Sequence, residues 1–112
     1  MMKFSDLVQM VRFTPPEEIR LDVDNRFECV LKNEQLKTLS PKLEEFFGPP
    51  KKPAGASAKG DTVDLASDYG GILKNQTLYY VSKDGFSNIG MIWPWTDGKL
   101  TTVKIFRLSF NA

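Results

Sequence analysis

The chain has 112 residues, and its 15 basic and 14 acidic side chains give a net charge of +1. This length is enough for one domain with its own apolar core. The nearly neutral charge argues against a general nucleic-acid binder and against a polybasic membrane surface. The chain contains no histidine, which excludes Ser-His-Asp and Cys-His catalysis and the usual zinc sites.

No motif in the sequence predicts a cofactor or a metal site. Cys29 is the one cysteine, and its place in the apolar phase of a strand pattern favours a buried, unreactive thiol. Asp61, Asp64 and Asp68 have the spacing of one helix face, but the turn-like sequence around them favours solvated acids over a metal site. An acid near the N-terminus and the lack of a long apolar run predict a cytoplasmic protein with no membrane contact.

Residues 4–13 fit two patterns. Leu7, Met10 and Val11 form a helical stripe behind Ser5, which can cap a helix. Apolar and polar residues also alternate along this segment as far as Phe13, a pattern that would suit a strand. We predict the short helix.

Residues 19–31 alternate between apolar and polar side chains, as a half-solvated strand does. One long strand fits this alternation as well as a hairpin does. We prefer a hairpin because Asp and Asn tolerate left-handed backbone conformations. A loop at residues 24–26 would pair Val23 with Phe27.

Residues 40–48 have the strongest helix signals. Ser40 can cap the helix, Pro41 suits the first helical position, and Gly48 followed by two prolines ends it. Helical spacing also extends back to Leu36, so the helix could begin nearer Asn33, with a kink or break at Pro41.

Residues 48–61 read as a loop with no large apolar side chain. We predict that this loop is mobile and is the first site of limited proteolysis, between Lys51 and Lys59. A short strand at residues 62–66 would follow it.

Residues 77–110 contain three strand-like runs separated by two Asp-Gly pairs, which are strong hairpin signals. A two-residue loop at the first pair would place Lys83 opposite Phe86 and Leu78 opposite Met91.

The second Asp-Gly pair allows two registers. A two-residue loop would place Met91 opposite Lys104, and a three-residue loop at residues 96–98 would place Met91 opposite Val103. We prefer the three-residue loop, because it continues one apolar face. The apolar phase then changes at Phe106, which requires either a bulge or a sheet covered on both faces.

The sequence therefore predicts a single α+β domain over residues 1–112. Its antiparallel sheet has four to six strands, including a C-terminal three-strand meander, with one or two short helices packed on one face. Aromatic side chains exceed what one sheet face can bury, which makes Trp95, Tyr79, Phe86 and Trp93 the candidate partner-binding residues. By phase, Trp93 should belong to the core, and Trp95, at the hairpin mouth, should be partly exposed.

These features favour a small non-enzymatic binding or regulatory protein whose partner is another protein. Two alternatives stay open. One is a small-molecule binder or carboxylate-based enzyme with a pocket between sheet and helix. The other is a single-stranded nucleic-acid binder that stacks bases on Tyr79, Tyr80, Trp93 and Trp95. A homodimer through a sheet edge or exposed aromatics is a further option.

Overall fold

The computed structural model describes residues 2–57, 60, 67 and 71–109. These residues form an antiparallel sheet in the order β1-β2-β5-β4-β3, together with two helices. The elements are α1 (Phe4–Arg12), β1 (Glu18–Val23), β2 (Arg26–Lys32), α2 (Asn33–Phe47), β3 (Thr77–Lys83), β4 (Phe86–Pro94) and β5 (Leu100–Ser109). The predicted α+β class and the C-terminal meander are confirmed, whereas the strand predicted at 62–66 lies outside the described residues.

Helix α1 confirms the helical interpretation of the N-terminal segment. Phe4, Leu7 and Val11 recur at helical spacing and are buried together. The Asp6 carboxylate accepts a hydrogen bond from the Lys3 backbone N–H at 2.9 Å, which satisfies one of the free donors at the helix start.

Helix α2 is continuous from Asn33 to Phe47 with Pro41 inside it, so the expected cap at Ser40 is wrong. The Ser40 hydroxyl instead donates to the Leu36 carbonyl one turn earlier, at 2.9 Å. The apolar spacing, rather than the cap and proline signals, located the start of the helix. Gly48, with φ +79°, ends it.

The β1–β2 hairpin forms, but its predicted register is wrong by one residue. Val23 pairs with Arg26 rather than Phe27. Asn25, with φ +66°, completes a tighter turn than the loop expected at 24–26. A register shift between Ile19 and Leu21 marks a β-bulge in this edge strand.

The first turn of the meander forms as predicted, with Lys83 opposite Phe86. Its central residues, Asp84 and Gly85, both have positive φ (+56° and +80°), as a tight two-residue hairpin turn requires.

The second turn of the meander has the register that we did not prefer. Met91 pairs with Lys104 rather than Val103, and Gly98 has φ +71°. Pairing of β4 with β5 continues without a shift past Phe106, so the change of apolar phase reflects burial on both faces rather than a bulge. Val103 therefore faces away from Met91.

The two faces of the sheet are covered differently. The helix face is the side on which α1 and α2 pack, and its buried strand residues are Phe27, Cys29, Leu31, Tyr79, Ile92, Val103 and Ile105. The far face carries a smaller buried cluster of Leu78, Ile89, Met91 and Phe106, against which Ile72, Tyr80 and Trp93 pack. The helices thus cover the face opposite to Leu78 and Met91. The registers of β2 and β5 place most of the apolar side chains of these two strands on that covered face.

Lys52 ties the predicted loop to the outer edge of β3. Its backbone exchanges two hydrogen bonds with Leu78, and its side chain is only 3% exposed. The ammonium donates to the carbonyls of Pro53, Lys74 and Gln76. Mobility of the loop stays a prediction, but at Lys52 the chain is anchored.

Candidate binding surface

Five side chains from four strands and a turn meet on the far face, beside its apolar cluster. We call them the cation–aromatic surface: Arg20, Arg26, Trp93, Trp95 and Lys104. Strand pairing brings them together, since β5 lies between β2 and β4 and residues opposite one another share a face. Lys104 is paired with Glu28 on one side and with Met91 on the other.

Lys104 lies over Trp93, with its Nζ 3.6 Å from the centroid of the ring. This is a close cation–π contact, in which the alkyl stem of the lysine also shields the indole from water. Burial lowers the pKa of Lys104; Glu28 raises it, while the charges of Arg26 and Arg20 lower it further. The ammonium therefore has cationic neighbours as well as the Glu28 carboxylate.

Trp95 lies just beyond the end of β4 and is half-buried, as its position at the hairpin mouth predicts. Its indole N–H donates to the Thr102 hydroxyl at 2.8 Å, which orients the ring. The Arg20 guanidinium carbon lies 5.5 Å from the ring centroid. The indole is thus held in place while part of it stays in contact with solvent.

Arg26 contributes both charge and an unused donor. Its terminal nitrogen pairs with the Glu28 carboxylate at 3.1 Å, and its guanidinium carbon lies 5.8 Å from the Phe106 ring centroid. Within the described chain, two side-chain nitrogens, Arg26 Nε and Trp93 Nε1, are buried without a hydrogen-bond acceptor. Buried donors of this kind are rare and destabilising, so hydrogen bonding on this face is incomplete at two positions.

The structure brings together only two of the four predicted partner-binding residues. Trp93 and Trp95 share the cation–aromatic surface, although Trp93 is half-buried rather than fully in the core as expected. Tyr79 is 5% exposed on the helix face and stacks on Phe47 with ring centroids 5.4 Å apart. Phe86 is half-buried with its ring centroid 4.1 Å from the guanidinium carbon of Arg107, away from the two indoles.

The residues expected to stack nucleic-acid bases are also divided. Tyr79 and Tyr80 are on opposite faces of the sheet, since neighbours in a strand alternate. The Trp93 and Trp95 rings already have Lys104 and Arg20 against them. The described residues thus do not form the continuous row of free rings that stacking of successive bases uses.

Sequence reasoning missed Arg20 and Arg26. Both are in the polar phase of residues 19–31, which we interpreted as a solvated strand face. Their significance depends on β2 pairing with β5 across about 75 residues of sequence, and local periodicity carries no information on that pairing. Once the register is known, the polar phase of β2 falls on the same face as Trp93.

Chemistry based on thiols or metals gains no support from the described residues. Cys29 is fully buried, as predicted, and burial raises the pKa of its thiol to about 12. Among the residues that the structure describes, no group of three or more acids and cysteines is arranged to hold a metal.

A concavity of about 480 Å³ separates α1 from the β1–β2 turn. Asp22 and Asp24 both line it, as a carboxylate-based site would require. However, both oxygens of Asp22 accept hydrogen bonds from Arg12, at 2.7 and 2.8 Å. Asp22 is therefore occupied as an ion-pair partner rather than placed for acid–base chemistry.

Comparison with known protein families, with characterised proteins and with solved structures finds no match to this chain. In the described part of the chain, neither helix is long and apolar enough to cross a membrane.

Proposed function

We propose that this is a small non-enzymatic binding or regulatory protein of the cytoplasm, and that it engages another protein through the cation–aromatic surface. One observation carries the proposal: the half-buried Trp95 indole is held in place by Thr102 and Arg20, on the same face as the cation–π contact of Lys104 with Trp93. Tryptophan and arginine are the residue types that contribute most to protein–protein binding energy.

The chemistry of the surface also indicates the kind of partner. The surface has three cationic side chains and two carboxylates, because Glu28 pairs with Arg26 at 3.1 Å and Glu18 pairs with Arg20 at 3.6 Å, which leaves one positive charge in excess. An acidic segment of a partner protein would complement this positive charge.

The test begins with capture of partners from the native host by the intact chain, followed by identification by mass spectrometry. Capture alone does not decide the matter, so it is repeated with Trp95→Ala and Arg20→Ala. The matched control is Phe13→Ala, which removes a side chain that is 78% exposed at the end of α1. The surface variants should lose the partner that the control retains.

Titration of the identified partner then gives the size of the effect. Trp95→Ala should weaken binding by roughly 2 kcal/mol or more if the indole is an anchor of the interface. Equal affinity of the surface variants and the control would overturn the proposal. Capture of nucleic acid instead, with affinity that falls steeply as salt rises, would favour the nucleic-acid alternative.

A further inference from the structure

The groove between α1 and the β1–β2 turn contains an arginine that is held rigidly. The guanidinium carbon of Arg107 lies 4.1 Å from the centroid of the Phe86 ring and 4.9 Å from that of Phe4. Its Nε donates to the Asn25 side-chain oxygen at 2.8 Å. Its backbone N–H also donates to the Asn25 carbonyl, at 2.9 Å, so the turn and the arginine position each other.

The donors of Arg107 are largely unused. Among the described residues, its two terminal nitrogens make no hydrogen bond, and no carboxylate lies within ion-pair distance of them. Arg12, on the same groove, is the opposite case: its terminal nitrogens are taken up by Gln9 and Asp22. The two arginines share a groove, but only Arg107 has its terminal donors available to a ligand.

The rigidity of Arg107 favours binding of a planar anion. A guanidinium that is already oriented loses little conformational freedom when it binds, and its paired N–H groups match the two oxygens of a carboxylate. The volume of about 480 Å³ lies within the range of small-molecule sites.

The other groove residues restrict the ligand further. Asp24 lines the groove beside the Arg12–Asp22 ion pair, and its negative charge makes a dianion such as phosphate unfavourable. Phe4, Val8 and the 57% exposed Val23 offer apolar surface. We propose that this groove binds a monocarboxylate with an apolar body, through a two-point contact of its carboxylate with Arg107. This site is independent of the cation–aromatic surface.

The probe is N-acetyl-L-leucine, which carries one carboxylate and one branched apolar side chain. It is titrated into the intact ¹⁵N-labelled chain, and the signals of Asn25, Val8 and Arg107 Nε–H are followed by NMR. N-acetyl-L-leucinamide, which has the same body without the charge, is the matched ligand control. We expect saturable shifts with the acid, a dissociation constant of about 1 mM, and binding at least roughly tenfold weaker for the amide.

Two variants distinguish the contribution of the two-point guanidinium contact to binding from that of positive charge alone. Arg107→Lys keeps the charge and should bind the acid at least roughly tenfold more weakly, because a lysine cannot make the two-point contact. Lys42→Gln, at an exposed position of α2 that does not line the groove, removes one positive charge and should bind as the unchanged chain does.

Three results would overturn the inference. The amide could bind as tightly as the acid, or the acid could fail to saturate any groove signal at about 20 mM. Inorganic phosphate could also bind the groove as tightly as the acid, which would refute the assignment to carboxylates. All three results need only the unchanged chain, so they hold even if Arg107→Lys fails to fold.

Discussion

The two faces of the sheet are built from alternate residues of the same strands, yet they are closed in different ways. On the helix face, two helices bring rings and aliphatic side chains onto Tyr79, Val103 and Ile105. On the far face, long cationic side chains lie over indoles beside a four-residue apolar cluster. A lysine stem can shield an aromatic ring from water and still leave the ring accessible to a partner. A helix packed on a ring closes it off from any partner. The far face is therefore where binding is expected, and the helix face is where stability is expected.

The largest expected effect is on the helix face, at Phe47. This ring is 4% exposed, stacks on Tyr79, and meets Phe46 edge-on with centroids 4.9 Å apart. Phe47→Ala should lower the free energy of unfolding by roughly 3–5 kcal/mol, through lost transfer energy and a residual cavity. Urea denaturation measures this loss. Leu73→Ala, at a side chain that is 66% exposed, is the control and should change stability by less than about 0.5 kcal/mol.

A loss below about 1.5 kcal/mol at Phe47 would mean that α2 is loosely packed and that the two faces do not differ as described.

The next effect tests how closely α2 approaches the sheet. A Cβ added to Gly90 would lie 2.9 Å from Cε2 of Phe47, which is closer than real Cβ contacts. Gly90→Ala should therefore destabilise the fold by roughly 1–3 kcal/mol, although alanine suits a strand better than glycine does. In a Phe47→Leu background the same change should be much less destabilising, because the clashing ring atoms are gone. Equal losses in both backgrounds would refute the proposed clash.

The same contrast explains how much of the fold could be predicted. Local signals were sufficient for the positions of the three hairpins, for the register of β3 with β4, for α1 and for the end of α2, because turn residues and helical spacing act over a few positions. The preferred register at residues 96–98 was wrong because we assumed that the apolar face of Met91 would continue onto Val103. The structure instead accepts Lys104 opposite Met91, since its ammonium can lie over Trp93.

Features that depend on distant residues could not be predicted from local patterns. Lys52 is buried because carbonyls of Lys74 and Gln76, more than 20 residues away, receive its ammonium. Arg26 lies on the same face of the sheet as Trp93 only because β2 pairs with β5. The tryptophan half of the candidate site was predicted from composition and turn position, but its cationic half required the long-range pairing.

Raising the pH into the alkaline range should change the free energy of unfolding in opposite directions through one group on each face, Cys29 and Lys104. The pKa of the Cys29 thiol, on the helix face, rises from 9.0 to about 12 in the folded state. Its contribution to stability is fully present below pH 9 and is lost as the pH rises toward 12, because only the unfolded chain ionises there. The loss should reach about 1.4 kcal/mol at pH 10.

Lys104, on the far face, has a pKa that burial lowers below 10.5 in the folded state. The effect of Lys104 on stability is opposite to that of Cys29, because the unfolded chain holds the lysine proton more tightly than the folded chain does. The free energy of unfolding therefore rises as the pH passes the pKa of Lys104 in the folded state. Urea melts from pH 7 to pH 10 should therefore show a smaller alkaline loss for Cys29→Ala, and a larger one for Lys104→Gln, than for the unchanged chain. An alkaline loss that is unchanged in Cys29→Ala would mean that the folded thiol is accessible to water.

The smallest expected effect on stability is at Trp95, and it tests whether the far face is a binding surface or ordinary core. Trp95→Ala removes a half-buried ring at the hairpin mouth and exposes the Thr102 hydroxyl, which can then bond to water. We expect a loss of about 1 kcal/mol or less, since little transfer energy is forfeited and no closed cavity forms. Trp93→Ala should cost more, because Trp93 packs against the apolar cluster and beneath Lys104. Paired urea melts of the two variants give the comparison. Equal, large losses would make the Trp-Pro-Trp segment part of the core and would remove the main support for a partner-binding role of the two indoles.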